Sequence, residues 1–156
     1  MKMKTSLLLV LCISLAACTH KLRIAKDPAE ITRWSQDAEH YVQEKNYTQA
    51  SHLYRQIALN QSEPGEQAAT WFKLGIIEMK RADYSAARSA FEACLKSDTN
   101  YDKAWANLAL INLMEFRKIA PKAIRSASIS MENREAFTLL LQDVERALGP
   151  ASGKTP

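Results

Sequence analysis

An all-α fold of stacked helical hairpins is the class this sequence predicts, and three observations carry it. Tryptophans recur at Trp34, Trp71 and Trp105, separated by 37 and 34 residues, and spacing this regular marks an internal repeat. The apolar residues around them fall three and four apart, as in Ile31, Trp34, Ala38 and Tyr41, which places them on one helix face. Helix-starting residues punctuate the chain at matching intervals, with no strand-length alternation between them.

The totals set the outer bounds. A chain of 156 residues supports one modest domain or a short array of repeats. With 24% charged and 47% hydrophobic residues it is not disordered throughout. Three cysteines are too few for a disulfide scaffold. The formal charge of +4 raises the question of nucleic acid, and the answer depends on where the charges lie.

The first element is a targeting segment. Lys2 and Lys4 form a basic start. Leu7 to Leu15 is an apolar run of five leucines, a valine and an isoleucine, too short to span a bilayer as a stable helix. Ala16 and Ala17 follow, then Cys18. Leu15-Ala16-Ala17-Cys18 resembles a bacterial lipobox, where the signal peptide is cut just before the cysteine. The resemblance implies a lipoprotein signal peptide over 1–17 and lipidation of Cys18, which then anchors the mature chain through its acyl groups. The alternative is ordinary secretion with an incidental Cys18. Thr19 stands where an aspartate would favour the inner membrane of proteobacteria, so the resemblance points to the outer membrane and its periplasmic face. Loss of Lys2 and Lys4 lowers the formal charge from +4 to +2, which weakens the case for nucleic acid. Residues 18–27 read as a lipidated linker. Its Lys21, Arg23 and Lys26 suit anionic headgroups or a solvated tether equally well.

The helical domain is expected over 28–149. Asp27-Pro28-Ala29-Glu30 combines an N-cap, a proline at the first helical position and a capping-box glutamate. Asn46 caps the second helix, Ser62-Glu63-Pro64 opens the third, Asp83 the fourth and Asn100 the fifth. Inside these limits Ala50, Leu53, Tyr54 and Ile57 form one stripe, and Ala87, Phe91, Cys94 and Leu95 another. Ser130 opens a last helix over about 131–148, and Gly149-Pro150 ends it. Its expected stripe is Phe137, Leu140, Leu141, Val144 and Leu148. A repeat array needs a terminal cap with one polar face, and this helix suits that place. The tail 150–156 is short and polar. With Cys18 acylated, Cys94 has no partner in the chain, so it is either a small buried residue or a site of disulfide formation between chains.

Aligning the tryptophans brings further residues into register. Leu74-Gly75, Ala87 and Phe91 of segment 68–101 match Ala38, Ala50 and Tyr54 of segment 31–64, and Leu108-Ala109 follow Trp105. Small residues at these points let helices approach, and Trp71 and Phe91 fill the space between pairs. The pattern resembles the tetratricopeptide family, whose period is about 34 residues, over roughly 31–135. The departures are Asp37 for the leucine, Glu78 for the tyrosine, three extra residues at 65–67, and Pro121 where the third repeat's second helix should carry its alanine. The resemblance implies a short superhelix of antiparallel helix pairs with a C-terminal capping helix.

In that family the first helix of each pair lines a concave groove. Carried over, the first repeat would contribute Thr32, Ser35, Glu39, Val42 and Gln43. The second and third would contribute Ala69, Phe72, Ile76, Met79 and Lys80, then Lys103, Ala106, Leu110, Leu113 and Met114. Ser35 and Glu39 do not match the family's carboxylate clamp. Phe72, Ile76, Met79, Leu110, Leu113 and Met114 make an apolar strip instead, suited either to a partner segment or to the chain's own last helix.

His20, His40 and His52 are scattered, and no zinc-protease, nucleophile-elbow, dithiol or phosphate-loop spacing occurs. No catalytic set, metal site or cofactor is expected, and no nucleic-acid partner. The expectation is a non-enzymatic, lipid-anchored adaptor that binds a protein in envelope assembly. Anchor plus repeats resembles the pilotin and pilus-assembly lipoproteins. The alternatives are an adaptor that recruits cell-wall hydrolases and a self-associating structural lipoprotein.

Overall fold

A computed structural model describes residues 28–149, arranged as six α-helices: α1 (Pro28–Gln43), α2 (Tyr47–Asn60), α3 (Pro64–Lys80), α4 (Tyr84–Ser97), α5 (Asp102–Arg125) and α6 (Met131–Leu148). The expected signal peptide, Cys18, the expected linker with Asp27 and the tail 150–156 lie outside the described residues. Each helix packs antiparallel on the next, giving an all-α bundle of helical-repeat architecture. No helix among the described residues is long and apolar enough to cross a membrane.

The helix starts follow from local chemistry. The Asn46 side chain accepts from Gln49 N at 3.3 Å, that of Asp83 from Ala86 N at 3.0 Å and that of Ser130 from Asn133 N at 3.2 Å. Each satisfies an amide that the first helical turn leaves without an internal partner. Asn100 is not the cap of α5. That place falls to Tyr101, and the Asn100 amide instead donates to Asp98 Oδ1 at 3.0 Å in the preceding turn.

α1–α2 and α3–α4 are two copies of one hairpin, 37 residues apart. Asn46 N donates to Tyr41 O at 2.8 Å and Lys45 N to Val42 O at 3.0 Å. Asp83 N and Ala82 N make the equivalent bonds to Glu78 O and Met79 O, both at 3.0 Å. This crossed pair closes a helix C-terminus around one left-handed residue, here Lys45 and Ala82, each at φ 58°. The three extra residues 65–67 do not lengthen a loop. They lie in the first turn of α3, which begins at Pro64. There Gln67 Nε2 donates to Ala58 O and Gln61 O at 3.0 and 3.2 Å, and Gln67 Oε1 accepts from Ser97 Oγ at 2.8 Å.

Two apolar clusters hold the array. Trp34, Ala38, Ala50, Tyr54 and Ile57 pack with Leu74, Ile77 and Ala90. Ala68, Ala87, Phe91, Cys94 and Leu95 pack with Ala104, Leu108 and Ile111. Trp71 touches both. Gly75 is what lets α3 and α4 close: a Cβ there would stand 2.4 Å from the Phe91 ring.

The third pair differs. α5 runs on for 24 residues through Pro121, and α6 is its partner. α6 is therefore the second helix of the last hairpin and not a cap added after a complete pair. The reason is local. Twelve residues after Trp34 and Trp71 stand Asn46 and Asp83, the caps that start α2 and α4; twelve after Trp105 stands Arg117, which cannot accept a capping bond. The helix turns only before Ser130. On α6, Val144 is buried and Phe137, Leu141 and Leu148 are half-buried, whereas Leu140 is 48% exposed and lies off the expected stripe.

Candidate functional site

The first helix of each pair was expected to supply the binding face, and α1 supplies a polar one. Glu39 collects partners from two other helices. Lys73 Nζ of α3 donates to it at 2.7 Å and the Tyr54 hydroxyl of α2 at 3.4 Å. The Lys73 hydrogen bond and charge hold the Glu39 carboxyl below its ordinary range. Burial, followed by the Glu39 charge, pushes the Tyr54 phenol up to about 12. Beside this cluster lies an open groove of about 560 Å³ lined by Thr32, Ser35, Gln36, Glu39, His40 and Gln43. Thr32, Ser35, Glu39 and Gln43 thus meet as expected for one face, while Val42 is half-buried against the core.

The apolar strip is placed differently along its length. Phe72 is half-buried, its ring centroid 5.6 Å from Phe91 and 5.1 Å from Tyr101. Ile76 and Met79 also pack half-buried on the α4–α5 cluster. Lys80 is exposed, with its ammonium 5.6 Å from the centroid of the Tyr47 ring. On α5, Lys103 and Ala106 are exposed, Leu110 and Met114 half-buried, and Leu113 37% exposed. The α3 half of the strip is therefore embedded in the seam between helices, and Leu113 is its exposed apolar member. α6 packs on α5 and does not lie along α3.

Two features escaped the sequence reading. Glu78, in the place of the repeat's tyrosine, is 1% exposed. It accepts from Ser51 Oγ at 2.5 Å and Arg81 Nη1 at 2.6 Å, and Arg55 stands 3.6 Å away. Next to it a cleft of about 940 Å³ opens between the α3–α4 turn and α5, lined by Arg81, Asp83, Tyr84, Met114, Glu115, Arg117 and Lys118 among others. Its far wall includes Arg117 and Lys118, in the continuation of α5 past Glu115. A buried Glu, for its part, is rare enough that only its partners reveal it.

Cys94 is buried and free. Burial, with Asp98 second, pushes its thiol up to about 11, so it is a packing residue and not a reactive one. No group of three His, Cys, Asp or Glu side chains able to hold a metal ion occurs among the described residues. Comparison with protein-family models, with curated proteins and with solved structures found no match.

Proposed function

We propose that this chain is a lipid-anchored, periplasm-facing adaptor of tetratricopeptide type that binds a protein partner in envelope assembly, at the outer membrane. The observation that carries the reading is the duplicated hairpin. Two copies with the same turn, the same cap and the same Ala-x3-aromatic pair support a stacked scaffold whose first helices are free to vary in chemistry. The Leu15-Ala16-Ala17-Cys18 motif supports the anchor. The α1 groove with its Glu39–Lys73 pair, together with exposed Lys80, Lys103 and Leu113, offers polar and apolar contacts for an extended or helical segment. On this reading the chain positions another protein and performs no chemistry.

The test has two parts. Mass spectrometry of membrane-extracted protein is expected to find a diacylglycerol thioether and an N-acyl group on Cys18; an unmodified cysteine overturns the anchor. Crosslinking and pulldown from intact envelopes then compares wild type with Leu113→Glu and Lys80→Glu, both on exposed positions. Loss of a shared partner from both variants is expected. Retention of every partner by folded variants removes this face as the binding site.

A further inference from the structure

The late turn that leaves Trp105 58% exposed also carries α5 past the end of the α3–α4 hairpin. Along one side of α5 the residues Ala104, Leu108 and Ile111 are buried against α3 and α4. Their alternating spacing of four and three continues without a break to Glu115, Lys118, Lys122 and Arg125, so one side of the helix carries all seven. The chemistry changes where the hairpin ends. Glu115 still meets α4, through Arg88 at 2.7 Å. Lys118 faces the α3–α4 turn only across the cleft of about 940 Å³, and Lys122 and Arg125 lie further out along the helix. All three cations are exposed. α6 covers a different side of this part of α5, where Phe137 meets Phe116 edge-to-face at 6.2 Å and Arg134 Nη1 donates to Ile124 O at 2.7 Å.

The cations of this corner divide by what already holds them. Arg81 is paired with Glu78 at 2.6 Å, Arg88 with Glu115, and Arg117 Nη1 donates to Gly149 O at 3.2 Å. Lys118, Lys122 and Arg125 have no carboxylate partner among the described residues. Between Glu115 and Glu132 the chain carries four cations and no acid. Like charges three and four apart on one helix face repel and cost stability. Lys122 and Arg125 lie in the last turn of α5, where the negative end of the helix offsets part of that cost. Lys118, about two turns earlier, has no such compensation. Ile119 stands beside the row, 60% exposed.

We propose that this corner binds an acidic segment of another protein, an extended run of aspartate and glutamate side chains laid along Lys118, Lys122 and Arg125. Ile119 then offers an apolar contact at its edge. The row spans about 10 Å along the helix axis, and an extended chain sets alternate side chains about 7 Å apart on one side. A stretch of about five residues with acids at alternate positions therefore matches it. The wall of the α3–α4 turn, across the cleft from Lys118, favours a chain over a flat lipid surface, which would meet Arg125 before it could reach Lys118. The site is distinct from the proposed face at Lys80, Lys103 and Leu113. Nine residues separate Leu113 from Lys122, which sets them on opposite sides of α5, so either proposal stands or fails without the other.

The test is fluorescence anisotropy of a labelled hexaglutamate peptide titrated with the full chain in uncharged detergent at low salt. Saturable binding is expected, weakening as salt is raised. Lys118→Glu with Lys122→Glu is expected to weaken it by about tenfold or more, with unchanged helical circular dichroism, since both positions are exposed. Lys80→Glu with Lys103→Glu makes the same change in net charge on the other face and is expected to leave binding within about twofold. Absence of binding to wild type overturns the proposal. So does an equal loss in the two double variants, which would show diffuse attraction to a basic protein. Displacement of the peptide by phosphatidylglycerol mixed into the micelle, at a lower concentration of charge, overturns it in favour of a lipid surface.

Discussion

Gly75 and Ala82 show how single residues set the spacing of this array. At Gly75 the missing side chain lets the Phe91 ring close on the α3 backbone. A Cβ would meet three ring carbons at 2.4 to 2.7 Å, and the ring is fully buried with no room to withdraw. Gly75→Ala is therefore expected to destabilise by about 1–3 kcal/mol, the usual cost of overpacking. It would be read as a lower denaturant midpoint with an unchanged slope. Ala82 stands at the opposite limit. It holds φ 58° at an exposed turn, where an L side chain costs about 1–2 kcal/mol. Ala82→Gly removes that cost and adds about 0.5–1 kcal/mol of unfolded-state entropy. The expected net is a gain of up to about 1 kcal/mol, seen as a raised Tm, and Ala82→Val is expected to lower it. Gly75 was legible as a close-approach residue because it aligned with Ala38 and Ala109. The strain at Ala82 was not, because nothing in an alanine announces a left-handed turn.

The buried Glu78 ties three segments into one unit: Ser51 and Arg55 from α2, and Arg81 from the α3–α4 turn. The members are unequal. Glu78 has no access to water, while Arg81 and Arg55 retain 34% and 48% of their side-chain exposure. Removing the carboxylate frees two cations that can turn outward; removing the cations strands a carboxylate that cannot. Arg55→Met with Arg81→Met is thus expected to cost about 3–5 kcal/mol, and Glu78→Met clearly less, by equilibrium denaturation. The element boundaries obey the same local logic. Asn46, Asp83 and Ser130 each start a helix that could be read from the sequence. Asn100 misled: α5 starts one residue later, with Tyr101 at the cap position and no side-chain capping bond. Pro121, which the repeat register placed in a second helix, lies inside α5 instead: with no capping residue at Arg117 the first helix had no earlier place to stop.

Across the whole molecule, stability is expected to fall from the centre toward the C-terminal end. α3 and α4 share a glycine-tight seam and bury Leu74, Ile77, Phe91 and Cys94, whereas α6 buries Val144 and packs on α5. Native-state hydrogen exchange is expected to show α6 amides opening well before those of α3 and α4. Equal protection across the three helices would overturn this ordering. The assignment of function follows the same gradient of legibility. The Leu15-Ala16-Ala17-Cys18 motif and the recurrence of tryptophans can be read from a linear string because each is a pattern of residue types at fixed spacing. A groove cannot, because Phe72 is half-buried or open according to where Phe91 and Tyr101 come to rest.

The all-α class, the helix starts at Asn46, Asp83 and Ser130, and the duplication of a hairpin were all written locally, in hydrogen-bonding side chains and in the three-to-four spacing of apolar residues. Four matters were settled by packing between distant segments: the burial of Glu78, the embedding of Phe72 beside Tyr101, the cleft beside Arg81 and the uncovered face of Trp105. The physical reason is the same in each. Capping and periodicity are interactions within about one helical turn, whereas exposure is a property of what arrives from elsewhere in the chain. Trp34 and Trp105 have the same local setting and opposite fates, because α2 turns back onto Trp34 and α6 turns back too late to reach Trp105.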